Sequence, residues 1–389
     1  MRVVILGGGY AGLSCALRLA WQARGRAAIT LVSASERFVE RIRLHQRAAG
    51  QSLVVRELAS MVEGTGITLK LGSVTSVDPR GEVIVEGERL PFDRLVVALG
   101  SQVERDRVPG VREHAWTLDA GSAAKLAEQL PAIAARGGRL VVIGGGLTGI
   151  ESASELAESH PGLQVTLLST SRPGENLSEA GREYLHAALG RLGVTVEQGE
   201  VRRLQAGTVE LADRSVPFDA CVWAGGFVVP PVVRNSGLPV NACGQVLVDP
   251  FLRAVGHENV YVIGDAACVA DPLAPMGMGC KTAMPMGAHV GENLARLSRG
   301  LPEQPFDYLE AVVCISLGRK DGLVQPMRQD GSPSRWVISG RPAAWLKEGI
   351  CRSTVWALLA ERAHLMRTPW LKTGRTHSLA ASRQSTLTA

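Results

Sequence analysis

The chain has 389 residues, enough for two or three domains that each bury a core. Its 46% hydrophobic and 20% charged residues are typical of a globular enzyme and exclude a disordered chain. The net charge of +5 is uneven, because the residues from Arg341 onward carry +6 and the remainder carries −1. A basic end of this kind suits an anionic membrane surface, an acidic partner or a solvated tail.

Seven cysteines are scattered along the chain, at positions 15, 221, 243, 268, 280, 314 and 351. None of them forms a CxxC or CxxxxC pair, so the sequence predicts neither a metal site nor a redox disulfide at motif spacing. No uninterrupted apolar stretch reaches the roughly 18 residues that span a bilayer. No basic stripe interleaved with aromatics lies outside the C-terminus, which argues against nucleic acid as a partner. We therefore predict a reduced, cytoplasmic protein.

A first βαβ unit is predicted over residues 1–33, with a strand at 2–6, a helix at 10–24 and a strand at 28–33. The loop that joins the first strand to the helix reads Gly7-Gly8-Gly9-Tyr10-Ala11-Gly12. Glycines at this spacing let the backbone approach a pyrophosphate, and the helix end adds about half a positive charge. The pattern predicts a dinucleotide-binding loop, with an ordinary βα turn as the alternative.

The end of the second strand departs from the usual dinucleotide pattern. An acidic residue normally stands there and holds the adenosine ribose. Here Ser33 takes that position, and Glu36 follows three residues later. Either Glu36 reaches back to the ribose, or hydroxyl and backbone groups hold it.

The segment Arg41–Arg47 should pass close to the bound cofactor. An arginine in it is predicted to pair with the cofactor diphosphate, and Arg43 and Arg47 are the candidates. His45 titrates near neutral pH and could protonate a reduced electron acceptor. A structural histidine is the alternative for His45.

Short strands are predicted over 67–77 and 82–86, and a buried strand over 95–100 that closes on a glycine turn. Three residues of this region are predicted to contact the first dinucleotide: Val74, Ala98 and Gly100.

A second βαβ unit is predicted from Arg139 to Ser169, and its loop reads Gly144-Gly145-Gly146-Leu147-Thr148-Gly149. The later segment Cys221–Gly226 echoes residues 97–100, so the architecture repeats within the chain. The predicted contacts of the second dinucleotide are Gly144, Gly146, Gly149, Gly225 and Arg172. Two such loops imply two dinucleotides in one protein, between which electrons pass.

The second unit carries no carboxylate at its strand end, which reads Leu168-Ser169-Thr170-Ser171-Arg172. An acid there would repel a 2′-phosphate, whereas hydroxyls and Arg172 would attract it. The sequence therefore favours NADPH over NADH, with a solvated turn of no selectivity as the alternative.

A third buried strand, Val260–Asp265, closes on Gly264 and Asp265. Its place after the second unit suggests that the chain returns to the first domain. Asp265 is positioned to accept hydrogen bonds from a ribityl chain. The alternative role is the N-cap of a helix over 266–270.

These motifs together resemble the pyridine-nucleotide-disulfide reductase superfamily. Within it, the chain is similar to the apoptosis-inducing-factor-like ferroptosis suppressors and the type II NADH dehydrogenases over residues 2–325. Besides the two loops, the resemblance rests on Ala98-Leu99-Gly100-Ser101, Ile263-Gly264-Asp265, Gly149-Ile150-Glu151, Lys281-Thr282-Ala283 with Gly287-Ala288-His289, and Ser316–Gly322.

The resemblance implies tightly bound FAD, NAD(P)H as electron donor and often a quinone as acceptor. In similar enzymes Glu151 lies near the nicotinamide and the flavin; a helix-start carboxylate is the alternative. Lys281, at a predicted helix start after the loop Pro275–Gly279, could stabilise the anionic reduced flavin; an exposed lysine is the alternative. Glutamines of the type II dehydrogenases are replaced here by Lys281 and Pro285, which weakens the quinone assignment. A redox role for Cys280 is disfavoured.

The predicted fold is α/β, with two Rossmann-like dinucleotide-binding domains, the NAD(P) domain inserted in the FAD domain, and a small C-terminal element. The boundaries are 1–112 and 241–305 for the FAD domain, 113–240 for the NAD(P) domain and 306–389 for the C-terminal element, whose tail is frayed after Thr376. A helix is predicted over 342–360. Its Trp345 and Trp356, with Trp370, could meet a membrane; packing on the FAD domain or in a homodimer is favoured.

The predicted function is an FAD-dependent NAD(P)H oxidoreductase with a quinone or an aromatic metabolite as acceptor. Three alternatives remain. The first is a reductase for a small redox protein such as ferredoxin, and the second is a metabolite-tailoring flavin enzyme. The third is a redox sensor that binds NAD(P)H with slow turnover.

Overall fold

Two five-stranded parallel sheets form the framework of the computed structural model, which describes residues 1–269 and 276–374. The first sheet has the spatial order Val260–Val262, Arg94–Val97, Arg2–Leu6, Ala28–Ser33, Ile67–Leu71. The second has the order Trp116–Thr117, Ala220–Trp223, Arg139–Ile143, Gln164–Ser169, Thr195–Gln198. The predicted α/β fold with two Rossmann-like sheets is confirmed.

The central strand of each sheet is an apolar run with helices on both sides. In Arg2–Leu6 and in Arg139–Ile143, every residue after the first is buried, as expected for parallel strands covered on both faces. The first βαβ unit follows the prediction closely, with its helix at Tyr10–Ala23.

The chain leaves the first sheet and later returns to it. Val260–Val262 pairs in parallel with Arg94–Val97, so Val262 lies beside Val97. The whole second sheet lies between these two strands in sequence. Its connection to the first sheet is a two-stranded antiparallel ribbon of Gln102–Val103 with Phe227–Val228.

Three-stranded antiparallel meanders lie, in sequence, between two strands of each parallel sheet. Their strands are Val74–Asp78, Glu82–Val85 and Glu88–Pro91 in the first, and Val201–Gln205, Thr208–Leu211 and Ser215–Pro217 in the second. A further antiparallel sheet lies near the C-terminus, with strands Val312–Ser316, Gly322–Pro326 and Ile338–Ser339. Two more strand pairs are Arg37–Phe38 with Arg56–Glu57, and Val246–Val248 with Ala267–Val269.

The described helices are Tyr10–Ala23, Leu44–Ala48, Leu58–Val62, Val111–His114, Ala120–Ala135, Leu147–Ser159, Glu179–Arg191, Pro231–Arg234, Cys280–Leu297 and Gly340–Arg362, with 3₁₀ turns at Arg41–Arg43 and Gly264–Ala266. Tyr10–Ala23 packs closely on Cys280–Leu297. A Cβ at Gly287 would lie 2.2 Å from the Ala11 carbonyl oxygen, so only glycine permits this approach.

The C-terminal helix Gly340–Arg362 is fastened to the first domain by a buried ion pair. The Arg18 guanidinium contacts the carboxylate of Glu361, and both side chains are almost fully buried. Arg18 Nη2 also donates to the Thr368 carbonyl oxygen at 3.0 Å. Because a buried charge is costly without a partner, this contact ties the C-terminal element to the first βαβ unit.

Candidate functional site

A single cavity of about 570 Å³ joins the two glycine-rich loops. Residues 7–11 of the first loop line one part of it, and Leu147, Thr148 and Glu151 of the second unit line another. Two groups bound at the two loops would therefore meet inside one enclosed space. A concave site of this size is typical of cofactor binding.

The first glycine of each loop is required by close packing against a neighbouring strand. A Cβ at Gly7 would lie 2.2 Å from the Ala98 carbonyl oxygen, and one at Gly144 would lie 2.4 Å from that of Ala224. Both glycines also have a positive φ, of 114° and 122°. The two loops therefore have the same backbone conformation and the same close packing, which explains the repeat seen in the sequence.

The last glycine of each loop packs on the first. A Cβ at Gly12 would lie 1.9 Å from the Gly7 carbonyl oxygen, and one at Gly149 would lie 1.8 Å from that of Gly144. These contacts hold each helix close to its strand. Gly12 and Gly149 thus shape the loop without facing the cavity.

The middle glycines, Gly9 and Gly146, face open space. A Cβ at either would meet no atom within 4 Å. Each is the N-cap of its helix, and neither helix start has a side-chain cap. The unsatisfied helix amides and the open approach fit a diphosphate at each loop, so the residues present are compatible with two dinucleotides.

Hydroxyl groups, rather than an acid, stand at the expected ribose position. Ser33, Ser35 and Arg37 line the cavity, and Ser33 Oγ donates to the Ser35 carbonyl oxygen at 2.8 Å. Glu36 is exposed and lies outside the cavity lining. The expectation that Glu36 reaches back is therefore corrected, and the hydroxyl alternative fits the geometry.

The arginines that line the cavity are Arg37 and Arg41, and neither predicted candidate, Arg43 or Arg47, is among them. Arg43 forms a bidentate pair with Glu348, at 2.9 and 3.0 Å, and Arg47 lies outside the lining. Arg41 Nη1 donates to the Ser101 carbonyl oxygen at 2.8 Å. Arg41 lies in the 3₁₀ turn Arg41–Arg43, and Arg47 lies in the helix that follows it.

Asp265 lies in the cavity wall beside Arg41. Its carboxylate accepts hydrogen bonds from Ser101 Oγ at 2.7 Å and from the Gly279 amide at 2.9 Å, and Arg41 Nη1 lies 3.8 Å away. The strand Ala267–Val269 follows directly, so the alternative of an N-cap for a helix over 266–270 is wrong. Asp265 is thus a held carboxylate that faces the cavity.

Four other predicted contacts of the first dinucleotide divide between cavity and core. Ala98, Gly100 and Gly264 line the cavity. Val74 instead packs against the hydrophobic core of the first domain and lies outside the lining.

Three ionisable side chains from distant parts of the sequence meet where the two loops approach each other. Lys347 Nζ lies 3.0 Å from Glu151 Oε1, and His45 Nδ1 lies 4.0 Å from Glu151 Oε2. The Ser316 amide also donates to Glu151 Oε1 at 3.0 Å. All three ionisable side chains line the cavity. We call His45, Glu151 and Lys347 the polar cluster.

The sequence predicted two members of the polar cluster and missed the third. Lys347 lies far from every motif, on the helix Gly340–Arg362, and only the packing of that helix brings it to the cavity. Glu151 is buried in the second turn of its helix, so the helix-start alternative does not describe it. The packing around Glu151, rather than the helix dipole, explains its position.

Burial and charge pairing control protonation in the polar cluster. Burial lowers the pKa of His45 to about 4, although the Glu151 carboxylate opposes this. Burial alone would raise the pKa of Glu151, but Lys347, His45 and the Ser316 amide outweigh it and lower the pKa. Burial likewise opposes a charge on Lys347, and Glu151 reverses this and raises its pKa. At neutral pH the cluster is a carboxylate–ammonium pair beside a neutral imidazole.

His45 has a nitrogen that no protein group satisfies. Its Nε2 is buried and makes no hydrogen bond to any residue that the structure describes. A buried polar atom of this kind costs free energy unless a ligand or water pairs with it. Because His45 lines the cavity, the atom marks a place for a bound group.

Lys281 also lines the cavity, one residue after the helix Cys280–Leu297 begins, but its charge is already paired with Glu310. The preceding loop was predicted to start at Pro275, which lies outside the described residues, as does the predicted frayed tail after Thr376. Burial raises the pKa of the neighbouring Cys280 thiol to about 11. The thiolate is the reactive form of cysteine, so a neutral thiol disfavours a redox role for Cys280.

The far end of the second loop is open to solvent. Arg172 is exposed, and its Nε lies 3.2 Å from His186 Nε2. Ser169 Oγ lies directly under Gly145, where an added Cβ would approach it to 2.1 Å. Gly225 packs over the ring of Trp223. Arg172 and Gly225 lie outside the lining of the main cavity.

The tryptophans of the C-terminal element separate into two groups. Trp345 and Trp356 are 74% and 57% exposed, so packing on the FAD domain is wrong for these two. Trp370 instead donates from its indole nitrogen to the Asp307 carbonyl oxygen at 2.9 Å. Among the described helices, none combines the length and hydropathy of a membrane-crossing segment.

Comparison with known proteins identifies the family of the chain. The family model for pyridine nucleotide-disulphide oxidoreductases matches residues 1–292. The demethylphylloquinone reductase NdbB of Synechocystis sp. is 30% identical over 293 residues, which cover 68% of this chain and 72% of the relative. A type II NADH:quinone oxidoreductase of Staphylococcus epidermidis is 28% identical over 406 residues, covering 92% of this chain and 96% of the relative. The sulfide:quinone oxidoreductase of Aquifex aeolicus shares the fold, with a TM-score of 0.81 at 20% identity over 92% of both chains.

Proposed function

Because the chain belongs to the pyridine nucleotide-disulphide oxidoreductase family, we propose that it is an FAD-dependent NAD(P)H:quinone oxidoreductase. The observation that carries this proposal is the single cavity that joins both glycine loops at the polar cluster. Quinone reductases among its relatives support the choice of acceptor.

The first loop and its neighbours are the proposed FAD site. The helix amides behind Gly9 would hold the diphosphate with Arg41, and Ser33 and Ser35 would face the adenosine ribose. Asp265 would accept hydrogen bonds from the ribityl chain. When bound, FAD supplies two-electron transfer from a reduced nicotinamide to an acceptor.

Reduction of a quinone develops negative charge on its oxygens, and the polar cluster offers a cation for that charge. Lys347 Nζ is held as an ammonium group by Glu151, so it would stabilise negative charge that develops on an acceptor oxygen. His45, whose pKa burial lowers to about 4, would offer a hydrogen bond to a ligand through Nε2. Lys281, which also lines the cavity, would add positive charge, reduced by its pairing with Glu310.

The proposal is tested by anaerobic mixing of the purified flavoprotein with NADPH or NADH, followed by a soluble quinone. We expect rapid loss of the oxidised flavin absorbance and its return on quinone addition. If neither nucleotide bleaches the flavin, hydride transfer is excluded. If ferredoxin restores the absorbance and quinones do not, the small-redox-protein alternative is correct. Slow turnover with every acceptor would favour the redox sensor.

We further propose that NADPH is the preferred donor, because Arg172 and the hydroxyls of Ser169–Ser171 replace an acid at the strand end. The variant Arg172→Ala should raise the KM for NADPH about tenfold, since a charge-assisted contact to phosphate is lost. The KM for NADH should stay within about twofold. Steady-state kinetics with both donors measures this. Arg202→Ala, an exposed arginine of the same domain, is the control. Equal changes for both donors would support the unselective turn.

The exposed face of the C-terminal helix is the proposed contact with an anionic membrane surface. Trp345 and Trp356 are exposed on it, together with Arg341 and Arg352, and tryptophan with arginine suits a membrane interface. The double variant Trp345→Ser/Trp356→Ser should lower co-sedimentation with phosphatidylglycerol-containing vesicles at least about fivefold. Neutral phosphatidylcholine vesicles are the control. Loss of a dimer in light scattering, with vesicle binding unchanged, would assign this face to a homodimer.

A further inference from the structure

The Arg319 side chain contacts residues of three separate elements next to the polar cluster. It lies in the turn between the strands Val312–Ser316 and Gly322–Pro326. Its Nε lies 3.0 Å from Glu155 Oε2, its Nη2 donates to Ser316 Oγ at 2.6 Å, and its Nη1 lies 3.5 Å from Glu348 Oε2. The side chain thus uses all three of its nitrogens.

Each contact of Arg319 is a neighbour of a member of the polar cluster. Glu155 lies one turn after Glu151 on the helix Leu147–Ser159. Ser316, whose hydroxyl Arg319 contacts, donates its amide to Glu151 Oε1. The guanidinium therefore sits directly behind Glu151, separated from it by Ser316.

The third contact of Arg319, with Glu348, connects it to Lys347 and His45, the other two members of the polar cluster. Glu348 follows Lys347 on the C-terminal helix, and its carboxylate also pairs with Arg43. Arg43 lies two residues before His45. Arg319 and Glu348 therefore join the elements that supply Glu151, Lys347 and His45.

Burial makes these contacts hard to replace. Glu155 is fully buried, and besides Arg319 its carboxylate accepts a hydrogen bond from Gln51. A buried carboxylate without its cation is strongly unfavourable. Only the planar fork of arginine can reach Glu155, Ser316 and Glu348 together, because a lysine offers a single nitrogen.

We propose that Arg319 is a positioning residue, which fixes the separation of Glu151 from His45 and Lys347 by joining their three elements. This inference rests on the proposed function, since it assigns the polar cluster to electron transfer. It also gives the Ser316–Gly322 motif a role at the site, namely to hold the members of the polar cluster in place.

The test compares Arg319→Met and Arg319→Lys with the control Arg191→Met. Arg191 pairs with Asp321, in the same turn as Arg319, but is exposed. The first readout is the pKa of His45, from NMR titration of the purified protein. The groups that face His45 are Glu151, Lys347, Arg319 and Arg43. Removal of the Arg319 charge should raise the pKa of His45 in Arg319→Met, while Arg319→Lys should keep it near the wild-type value.

The second readout is the split between kcat and KM. In both Arg319 variants kcat for quinone reduction should fall about tenfold or more, because the cluster loses its alignment, while KM for the nicotinamide donor stays within about twofold. Arg191→Met should match wild type in both readouts. An unchanged His45 pKa and kcat in Arg319→Met, with lowered thermal stability, would reduce Arg319 to a structural role.

Two outcomes distinguish a failure of the inference about Arg319 from a failure of the proposed function. If wild-type protein reduces no quinone, the proposed function fails, whereas the His45 titration still reports on Arg319. If Arg319→Met does not fold, Glu348→Gln replaces it, because this variant weakens the same junction from the C-terminal side. An unchanged kcat and an unchanged His45 pKa in Glu348→Gln would then overturn the inference.

Discussion

Replacing Lys347 by methionine is expected to lower quinone reduction about a hundredfold, because the ammonium group that faces the cavity is lost. Methionine keeps most of the side-chain volume, so the helix Gly340–Arg362 should still pack. FAD content should remain close to wild type, since Lys347 pairs with Glu151 and the Cys314 carbonyl oxygen rather than with the first glycine loop. Stopped-flow measurement of the two half-reactions would locate the loss. We expect it mainly in the reoxidation of the flavin by quinone.

The same substitution should change the pH dependence. Lys347 lowers the pKa of Glu151, so its removal should raise that pKa and move the acid limb of the kcat profile to higher pH. The lysine predicted from the sequence supplies the comparison. Lys281→Met should cost less, because Lys281 is more exposed than Lys347 and solvent screens its charge more strongly. A larger loss in Lys281→Met than in Lys347→Met would show that Lys281 is the cation that acts on the acceptor.

Substitution of the two open glycines should separate the two nucleotide sites. Gly9 and Gly146 have φ values of −84° and −73°, which other residues adopt without strain. A Cβ at either position meets no protein atom within 4 Å. Valine should therefore fold normally at both positions but occupy the space that a diphosphate needs.

Gly9→Val should weaken FAD binding at least about a hundredfold, or about 2.8 kcal/mol, so the protein should purify without flavin colour. Gly146→Val should keep its FAD and lose reduction by NADPH and NADH, while dithionite still bleaches it. Each variant is the control for the other. FAD loss in both variants, or in neither, would contradict the assignment of one loop to each nucleotide. Absorbance spectra and thermal unfolding measure both outcomes.

Local patterns were sufficient to predict most of the framework. The predicted strand bounds in the first βαβ unit agree with Arg2–Leu6 and Ala28–Ser33, because apolar runs and glycine turns act within a few residues. The return of the chain at Val260–Val262 was predicted from its motif as well. The pairing of that strand with Arg94–Val97 in the structure agrees with this order.

The parts of the site that the sequence did not predict depend on tertiary packing. Lys347 reaches the cavity because its helix packs on the first domain, where the buried Arg18–Glu361 pair is one of the contacts. Arg41 lines the cavity, whereas Arg43 pairs with Glu348. No periodicity within either segment carries this information, so sequence reasoning could name the segments but not the side chains.

The C-terminal element supplies a part of the site that is separate from the two nucleotide loops. The family model ends at residue 292, whereas Lys347 lies beyond it on a helix whose contacts include the buried Arg18–Glu361 pair, the Glu348 junction and the Lys347–Glu151 pair. The two nucleotide loops are complete without this element, but the cavity then lacks Lys347 and the lining residues Val312, Val313 and Cys314. An exchange of the region after residue 305 between relatives should therefore transfer acceptor preference while donor preference stays with the recipient. The acceptor part of the site is in this sense a separate structural unit, which can be exchanged without changing the nucleotide loops.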